Sequence, residues 1–305
     1  MIAFLGRRLL VALGVTLVIT FLTFSLLFVS GDPATALAGA SSRAEDVEKL
    51  RALHGLDRPI VLQYGEWLWN ALRGDLGQSL FFQLPVVDLL AGRLPVTLTV
   101  GALAMGLALL IGVPLGITAA VHRGGVIDRL ALVLAVVGQA MPTFWFGLIL
   151  IVVFGMLLPV LPISGADDWR GYVLPVVVLG YYATPAIMRL VRSGMIDALQ
   201  SDYIRTARAN GLLGPTILLN HALRNAIVPL VSLTAVQFGF LLSGSIVVES
   251  VFALNGLGRL GWESIIRSDL PTVQAIILVF SGLFILLTTC ADVLTAWIDP
   301  RTRTQ

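Results

Sequence analysis

Apolar residues in this chain gather into long runs broken by short polar stretches, with no sustained period-two alternation. Six runs reach the roughly 20 residues that a helix needs to cross the hydrocarbon core of a bilayer. They cover Leu9–Val29, Val96–Val121, Leu130–Leu158, Tyr172–Leu190, Ile227–Val248 and Thr272–Ile298. Lipid offers backbone amides and carbonyls no partner, so each run is expected to be helical along its length. The third is long enough to tilt, or to stop early at Pro159 and Pro162. The first follows Arg7 and Arg8 and precedes Ala36-Leu37-Ala38, features shared with a cleaved signal peptide. Its apolar run exceeds the roughly 7–15 residues of a signal core, and the small-residue site lies well past its end, so an uncleaved span is expected.

The pattern changes between the first two spans. Ala44–Leu53 carries mixed charges at helical spacing, and Val61–Leu72 reads as an amphipathic helix ending near Gly74. Trp67 and Trp69 suit a membrane interface, where an apolar ring with a polar edge is stable. The expected organisation is a first span at 1–30, an extracytoplasmic segment at 31–95, a five-helix core at 96–298 and a tail at 299–305. The fold class is an all-α polytopic membrane protein.

Composition agrees. The chain of 305 residues is 57% hydrophobic and only 12% charged, against roughly 25% charged in a soluble domain. So few charges exclude a soluble enzyme and a disordered chain. Sidedness follows from the basic residues. With the N-terminus inside, the inner segments hold Arg7, Arg8, Arg123, Arg129, Arg189, Arg192, Arg205, Arg208, Arg224, Arg301 and Arg303. The two short outer loops hold Arg170, Arg259 and Arg267. Both termini are therefore expected to be cytoplasmic.

Lys49 is the only lysine, and no glycine-rich run precedes it, so the chain has no P-loop to bind ATP. Cys290 stands alone, which excludes an internal disulfide. His54, His122 and His221 lack metal-ligand spacing. No catalytic residue, metal or cofactor is expected in the chain itself.

Candidate chemistry concentrates between the fourth and fifth spans. Ser201 suits a helix N-cap, Asp202 its first turn, Arg205 and Arg208 the turns beyond, and Gly211 a left-handed stop. Tyr203 and Ala207 are four apart, with Ile204 beside Ala207. The pattern describes a short helix offering an aromatic and aliphatic knob rimmed by arginines, and equally an ordinary solvated connector.

The segment Tyr203-Ile-Arg-Thr-Ala-Arg-Ala-Asn-Gly-Leu212, followed by His221-Ala-Leu-Arg-Asn-Ala-Ile-Val-Pro229, resembles the EAA loop of ABC importer permeases, specifically the dipeptide/oligopeptide/nickel branch. Arg205, Thr206 and Ala207 stand where the general pattern has a glutamate and two alanines, and Gly211 is retained. The longer distance from Gly211 to Pro229 is habitual in the peptide branch. Leu213-Gly214-Pro215 departs from the polar residues more usual there. Further matches follow in order: Gly31-Asp-Pro33, Gly55-Leu-Asp-Arg-Pro59, Gln63-Tyr64, Gly74-Asp-Leu-Gly-Gln-Ser79, Arg93-Leu-Pro95, Pro142-Thr-Phe-Trp145, Glu249-Ser-Val-Phe252, Gly256-Leu-Gly258 and Asp299-Pro-Arg301. Together they resemble the first of the two paralogous permeases in such systems.

That resemblance implies a type I ABC importer permease fold in a bacterial inner membrane, with the coupling loop at 191–226. It implies a paralogous permease partner, two ABC ATPase subunits that bring ATP and Mg, and an extracytoplasmic substrate-binding protein; no nucleic-acid partner is expected. Tyr203 and Ala207 would fill a groove on an ATPase, with Arg205, Thr206, Arg208 and Gly211 completing the contact. Gln139, Gln237, Ser243, Ser245 and Asp292 are polar residues in or near spans. Each either lines a substrate path or makes an interhelical contact. Glu249 and Arg259 either meet the binding protein or order their loop. Peptide is the expected cargo, with nickel or glutathione as alternatives. A secondary transporter would need intramembrane ionisable groups beyond Asp292. An intramembrane hydrolase would need a base beside Ser164, and none is in sight.

Overall fold

A computed structural model describes residues 2–30, 33–38, 43–53 and 55–298. Gly31 and Asp32, His54 and the tail 299–305 with Asp299, Arg301 and Arg303 lie outside the described residues, as do the side chains of Arg7 and Arg8. The described chain is helical almost throughout. In order it forms α1 (Ile2–Ser30), α2 (Pro33–Ala38), α3 (Ala44–Leu53), α4 (Ile60–Leu72), α5 (Val86–Val121), α6 (Val126–Ala140) and α7 (Thr143–Leu150), which runs on into a π-helical segment, Ile151–Leu157. There follow α8 (Arg170–Leu199), α9 (Asp202–Ala209), α10 (Gly214–Thr216), a π-helical turn at Ile217–Ala222, α11 (Leu223–Ala226), α12 (Val228–Val251), α13 (Leu257–Ile266) and α14 (Leu270–Ile298).

Four unbroken helices, α5, α8, α12 and α14, are long and apolar enough to cross a bilayer. The first expected span lies within α1, whose described apolar stretch is Leu10–Leu26. The third departs from expectation. It is two helices, α6 and α7 with its π-helical extension, meeting at 99°. Pro142 has no N–H to continue α6, and its ring drives the preceding residue out of the helical region. Met141 (φ −82°, ψ 121°) and Pro142 (φ −60°, ψ 133°) are both extended. The run of apolar letters hid this break, because hydropathy counts side chains and not backbone donors. α5 starts at Val86, so residues 86–95 are already helical.

By their contacts the described residues fall into two compact units, residues 1–97 with 255–285 and residues 98–254 with 286–305. In the first, α4 lies along α1. Tyr64 of α4 is buried, with its hydroxyl 2.8 Å from Thr20 Oγ1 and 3.2 Å from the Leu17 carbonyl. Phe21 and Phe24 meet its ring edge-on, and Trp67 stacks on it. Gln274 Nε2 of α14 donates to the Thr20 carbonyl at 2.7 Å. Asp269, fully buried, accepts from Ser79 Oγ, the Leu80 N–H (3.0 Å) and Thr272 Oγ1 (2.7 Å). A small apolar core joins Val86, Leu89 and Leu90 of α5 to Leu257 and Leu260 of α13 and to Ala275 and Ile276 of α14.

The second unit is built around α8, which packs on α6, α7, α11 and α12. Glycines bring α5 close to it. A Cβ at Gly112 would lie 2.9 Å from Ile187 Cγ2, and one at Gly116 would lie 2.7 Å from the Met188 carbonyl. The same spacing from the α8 side puts a Cβ at Gly180 3.0 Å from the Ala104 carbonyl. Between apolar helices in lipid, such backbone approach supplies packing energy that a hydrophobic effect cannot. Gly116→Val therefore lowers stability by about 1–3 kcal/mol, the usual cost of overpacking. Gly106, whose Cβ would meet nothing within 4 Å, is the control: Gly106→Ala leaves the melting temperature in detergent unchanged while Gly116→Val lowers it by several degrees.

Candidate functional site

Three neighbouring features of the second unit carry the polar chemistry. The first is α9. It opens at Ser201, whose backbone is extended as an N-cap requires, although the hydroxyl turns back to donate to the Ala198 carbonyl and not to the new helix. The helix ends at Gly211 (φ +77°), a left-handed residue that L side chains avoid. Its N–H bonds the Arg208 carbonyl at 3.0 Å, and the Leu212 N–H bonds the Ala207 carbonyl at 3.2 Å. These two bonds form the paired closure of a Schellman cap.

α9 packs on the π-helical turn Ile217–Ala222, where Ile217 and Ala222 are buried. Ile204 is fully buried and Ala207 is 7% exposed. This corrects the expected knob: Ala207 and Ile204 fasten α9 to its own chain and are not available to a partner. At 100° per residue the stripe facing the chain passes through 204 and 207 and leaves Tyr203 at its edge. Tyr203 is 42% exposed, and Asn225 Nδ2 donates to its hydroxyl at 2.8 Å. Arg205, Thr206, Arg208 and Gly211 are exposed. Arg205 reaches Asp202 at 3.3 Å, a solvated pair of little energetic weight. Thr206 donates to the Asp202 carbonyl. What α9 offers outward is an aromatic ring among two guanidinium groups.

The second feature lies on α8, just before α9. Arg192 grips Asp128 of α6 with both arms of its fork, Nε to Oδ1 at 2.6 Å and Nη2 to Oδ2 at 2.8 Å. The Gly124 N–H adds a third bond, 2.8 Å, to Oδ2. Asp128 is buried, and the Arg192 side chain is 22% exposed. This clamp fastens the start of α6 to the helix that leads into α9. The sequence placed Arg192 only among the inner basic residues; 64 positions separate it from Asp128, and no spacing rule spans that distance.

The third feature is the break between α6 and α7. A cavity of about 420 Å³ opens there, lined by residues 139–143 together with Leu179, Tyr182, Phe240, Ser243 and Gly244. Gln139 and Ser243, two of the polar residues picked from the sequence, are brought together in it. Arg189 Nη1 donates to Gln139 Oε1 at 2.7 Å. Ser245 is buried and bonds its own helix at the Leu242 carbonyl, which removes it from any path. Gln237 and Asp292 are half-buried and do not line this cavity. Glu249 is fully buried, so it is not an external contact. Arg259 in the first unit is half-buried and bonds Glu263 at 2.8 Å, which lies 3.6 Å from Arg93. Among the described residues no three His, Cys, Asp or Glu side chains gather as a metal site requires.

Comparison with known proteins places the chain in a family. Residues 112–304 match the model of the binding-protein-dependent transport system inner membrane component, and residues 1–101 match the N-terminal membrane component of such systems. The glutathione transport system permease protein GsiC of Escherichia coli strain K12 is 41% identical over 304 residues, covering 99% of each chain. Its counterpart in Salmonella paratyphi A is 40% identical with the same coverage. Among solved structures, an inward-facing conformation of the MetNI methionine ABC transporter aligns with a TM-score of 0.60 at 20% identity. That alignment takes in 69% of this chain and 96% of the other, and it shows a shared fold.

The Asp128–Arg192 clamp yields a direct test. Asp128→Ala strands a guanidinium and costs about 2–3 kcal/mol, below the ~3–5 of a fully buried pair because Arg192 keeps some water. Arg192→Lys keeps the charge but loses the fork, and is expected to destabilise nearly as much. Thermal unfolding of the purified chain in detergent measures both; a wild-type melting temperature for Arg192→Lys would show that the charge alone matters.

Proposed function

The chain belongs to the inner-membrane components of binding-protein-dependent transport systems, and from that premise we propose that it forms half of the translocation pathway of an ATP-driven importer of short peptides. Two ATPase subunits on the cytoplasmic side would supply the energy, and a second, paralogous permease the other half of the path. An extracytoplasmic binding protein would deliver cargo, and both chain termini would lie in the cytoplasm. Glutathione, a tripeptide with an unusual linkage, belongs to the cargo class; 41% identity with a glutathione permease, in an alignment covering 99% of both chains, is the observation that carries this reading.

The chemistry of α9 supports the coupling role. Its inner stripe, Ile204 and Ala207, anchors it to the permease. Its outer edge presents Tyr203 with Arg205 and Arg208 to a partner. An aromatic ring flanked by arginines is the composition that dominates docking energies when a groove excludes water around it. With Lys49 as its only lysine and no P-loop around it, the chain depends on a partner for nucleotide. ATP-driven closure of the ATPase pair would displace α9 together with α8, and the Asp128–Arg192 clamp would carry α6 along. Transport then rests on a two-state element whose balance nucleotide shifts.

Two substitutions test the assignment in the assembled transporter. Gly211→Val forces a β-branched residue to φ +77°, at a cost of about 1–3 kcal/mol borne by the end of α9. Uptake is expected to collapse while the protein inserts and accumulates normally; wild-type uptake by a well-expressed Gly211→Val chain would remove α9 as the coupling element. Tyr203→Ala should weaken ATPase retention in detergent by about tenfold or more, the effect of losing 1.4 kcal/mol at a hot spot. Tyr203→Phe, which loses only the bond to Asn225, should retain most of it.

A further inference from the structure

Non-helical backbone at membrane depth survives only where protein buries it or water reaches it, because each unpaired amide or carbonyl in hydrocarbon costs several kcal/mol. The extended pair Met141-Pro142 interrupts a membrane segment in this way, and the cavity at the break accounts for it. The lining is not neutral in chemistry. Arg189 has only protons to give, so the amide oxygen of Gln139 must face it. The Nε2 group, with two protons, is then what Gln139 offers the cavity. A positive charge behind the amide oxygen strengthens those protons as donors. Tyr182 and Thr143 add hydroxyl side chains to the same lining, whereas the Ser243 hydroxyl donates back to the Gly239 carbonyl at 3.4 Å; Leu179, Phe240, Met141 and Pro142 supply apolar wall. The described residues thus give the cavity one amide donor backed by a cation, two further hydroxyl side chains, and hydrophobic surface beside them.

We propose that this cavity is a way-station for the carboxylate end of a short peptide in transit, with Gln139, oriented by Arg189, as its principal donor. The proposal rests on the peptide-import reading above. A carboxylate accepts from Gln139 Nε2 and from the Tyr182 and Thr143 hydroxyls without needing a donor of its own, and the C-terminal side chain lies on the Phe240 and Leu179 wall. Affinity is necessarily weak: conduction requires a site that the cargo leaves as readily as it enters.

The test uses the whole transporter in vesicles, with Cys290→Ser to remove the native thiol. Ser243→Cys then reports on the cavity through its rate of modification by a small water-soluble thiosulfonate. The thiol should react, since Ser243 is exposed. Tri-alanine at a few times a millimolar Kd should slow the reaction about fivefold. Tri-alanine amide, which lacks the carboxylate, should not slow it, and Gln139→Leu should abolish the protection. An unreactive thiol, equal protection by both peptides, or no protection by either overturns the proposal. Thr143→Cys places a second reporter in the same lining if Ser243→Cys fails to assemble. ATP-driven uptake of tri-alanine with its binding protein is measured in parallel. Uptake without protection sinks the site alone, whereas protection without uptake leaves the site standing and sinks the import reading.

Discussion

Hydrocarbon gives a polar group nothing to bond to, and that constraint governs where this chain places its chemistry. Hydroxyls in the spans are turned back onto their own helices: Thr16, Thr20, Thr23 and Ser25 in α1, Thr184 in α8, Thr234 and Ser245 in α12 all bond carbonyls three or four residues earlier. Groups so satisfied are unavailable for function. Polar atoms with work left to do are found where helices stop, at the Met141-Pro142 break and along α9. A residue's polarity is therefore a poor guide to its role here, and its distance from a helix end a better one.

The same constraint explains two styles of cohesion. In the unit containing α1 and α4, contacts are made by buried hydrogen bonds of high specificity, Tyr64 to Thr20, Gln274 to the Thr20 carbonyl, Asp269 to Ser79. In the unit built on α8, they are made by glycines that let backbones meet. Lipid gives no hydrophobic reward for bringing two apolar helices together, so shape and hydrogen bonding must do it. A packed interface of small residues resists bending.

Much of this was legible in the sequence, and the failures share a cause. Helix α3 and the amphipathic α4 begin and end where their charge and turn residues place them. Gly211 takes the left-handed conformation its position in the loop demanded. What sequence periodicity did not resolve is which of two adjacent faces turns inward. Tyr203 and Ala207 stand 40° apart on a helix, and so do Ile204 and Arg208; the buried stripe takes one residue from each pair, Ala207 and Ile204, because it faces the π-helical turn Ile217–Ala222, which lies beyond any local window. Polarity left both Glu249 and Ser245 open between a functional contact and a structural one, and the burial of both side chains is a fact of packing that their letters do not carry. The break at Pro142 was visible as a proline but outweighed by the apolar letters around it.

The Asp128–Arg192 pair is hard to account for on stability alone. Desolvating two charges offsets most of their attraction, and an apolar pair of the same volume commonly serves a fold as well or better. What an apolar pair lacks is direction. A two-pronged guanidinium–carboxylate contact fixes both distance and orientation, and the Gly124 N–H holds the carboxylate in the plane the fork requires. Leucines at those positions would let α6 slide and rotate against α8 at little cost. With the clamp, displacement of α8 obliges α6 to follow, and the Gln139 end of α6 lies at the cavity. A charge pair is thus the economical device where the quantity to be conserved through a conformational change is geometry and not free energy.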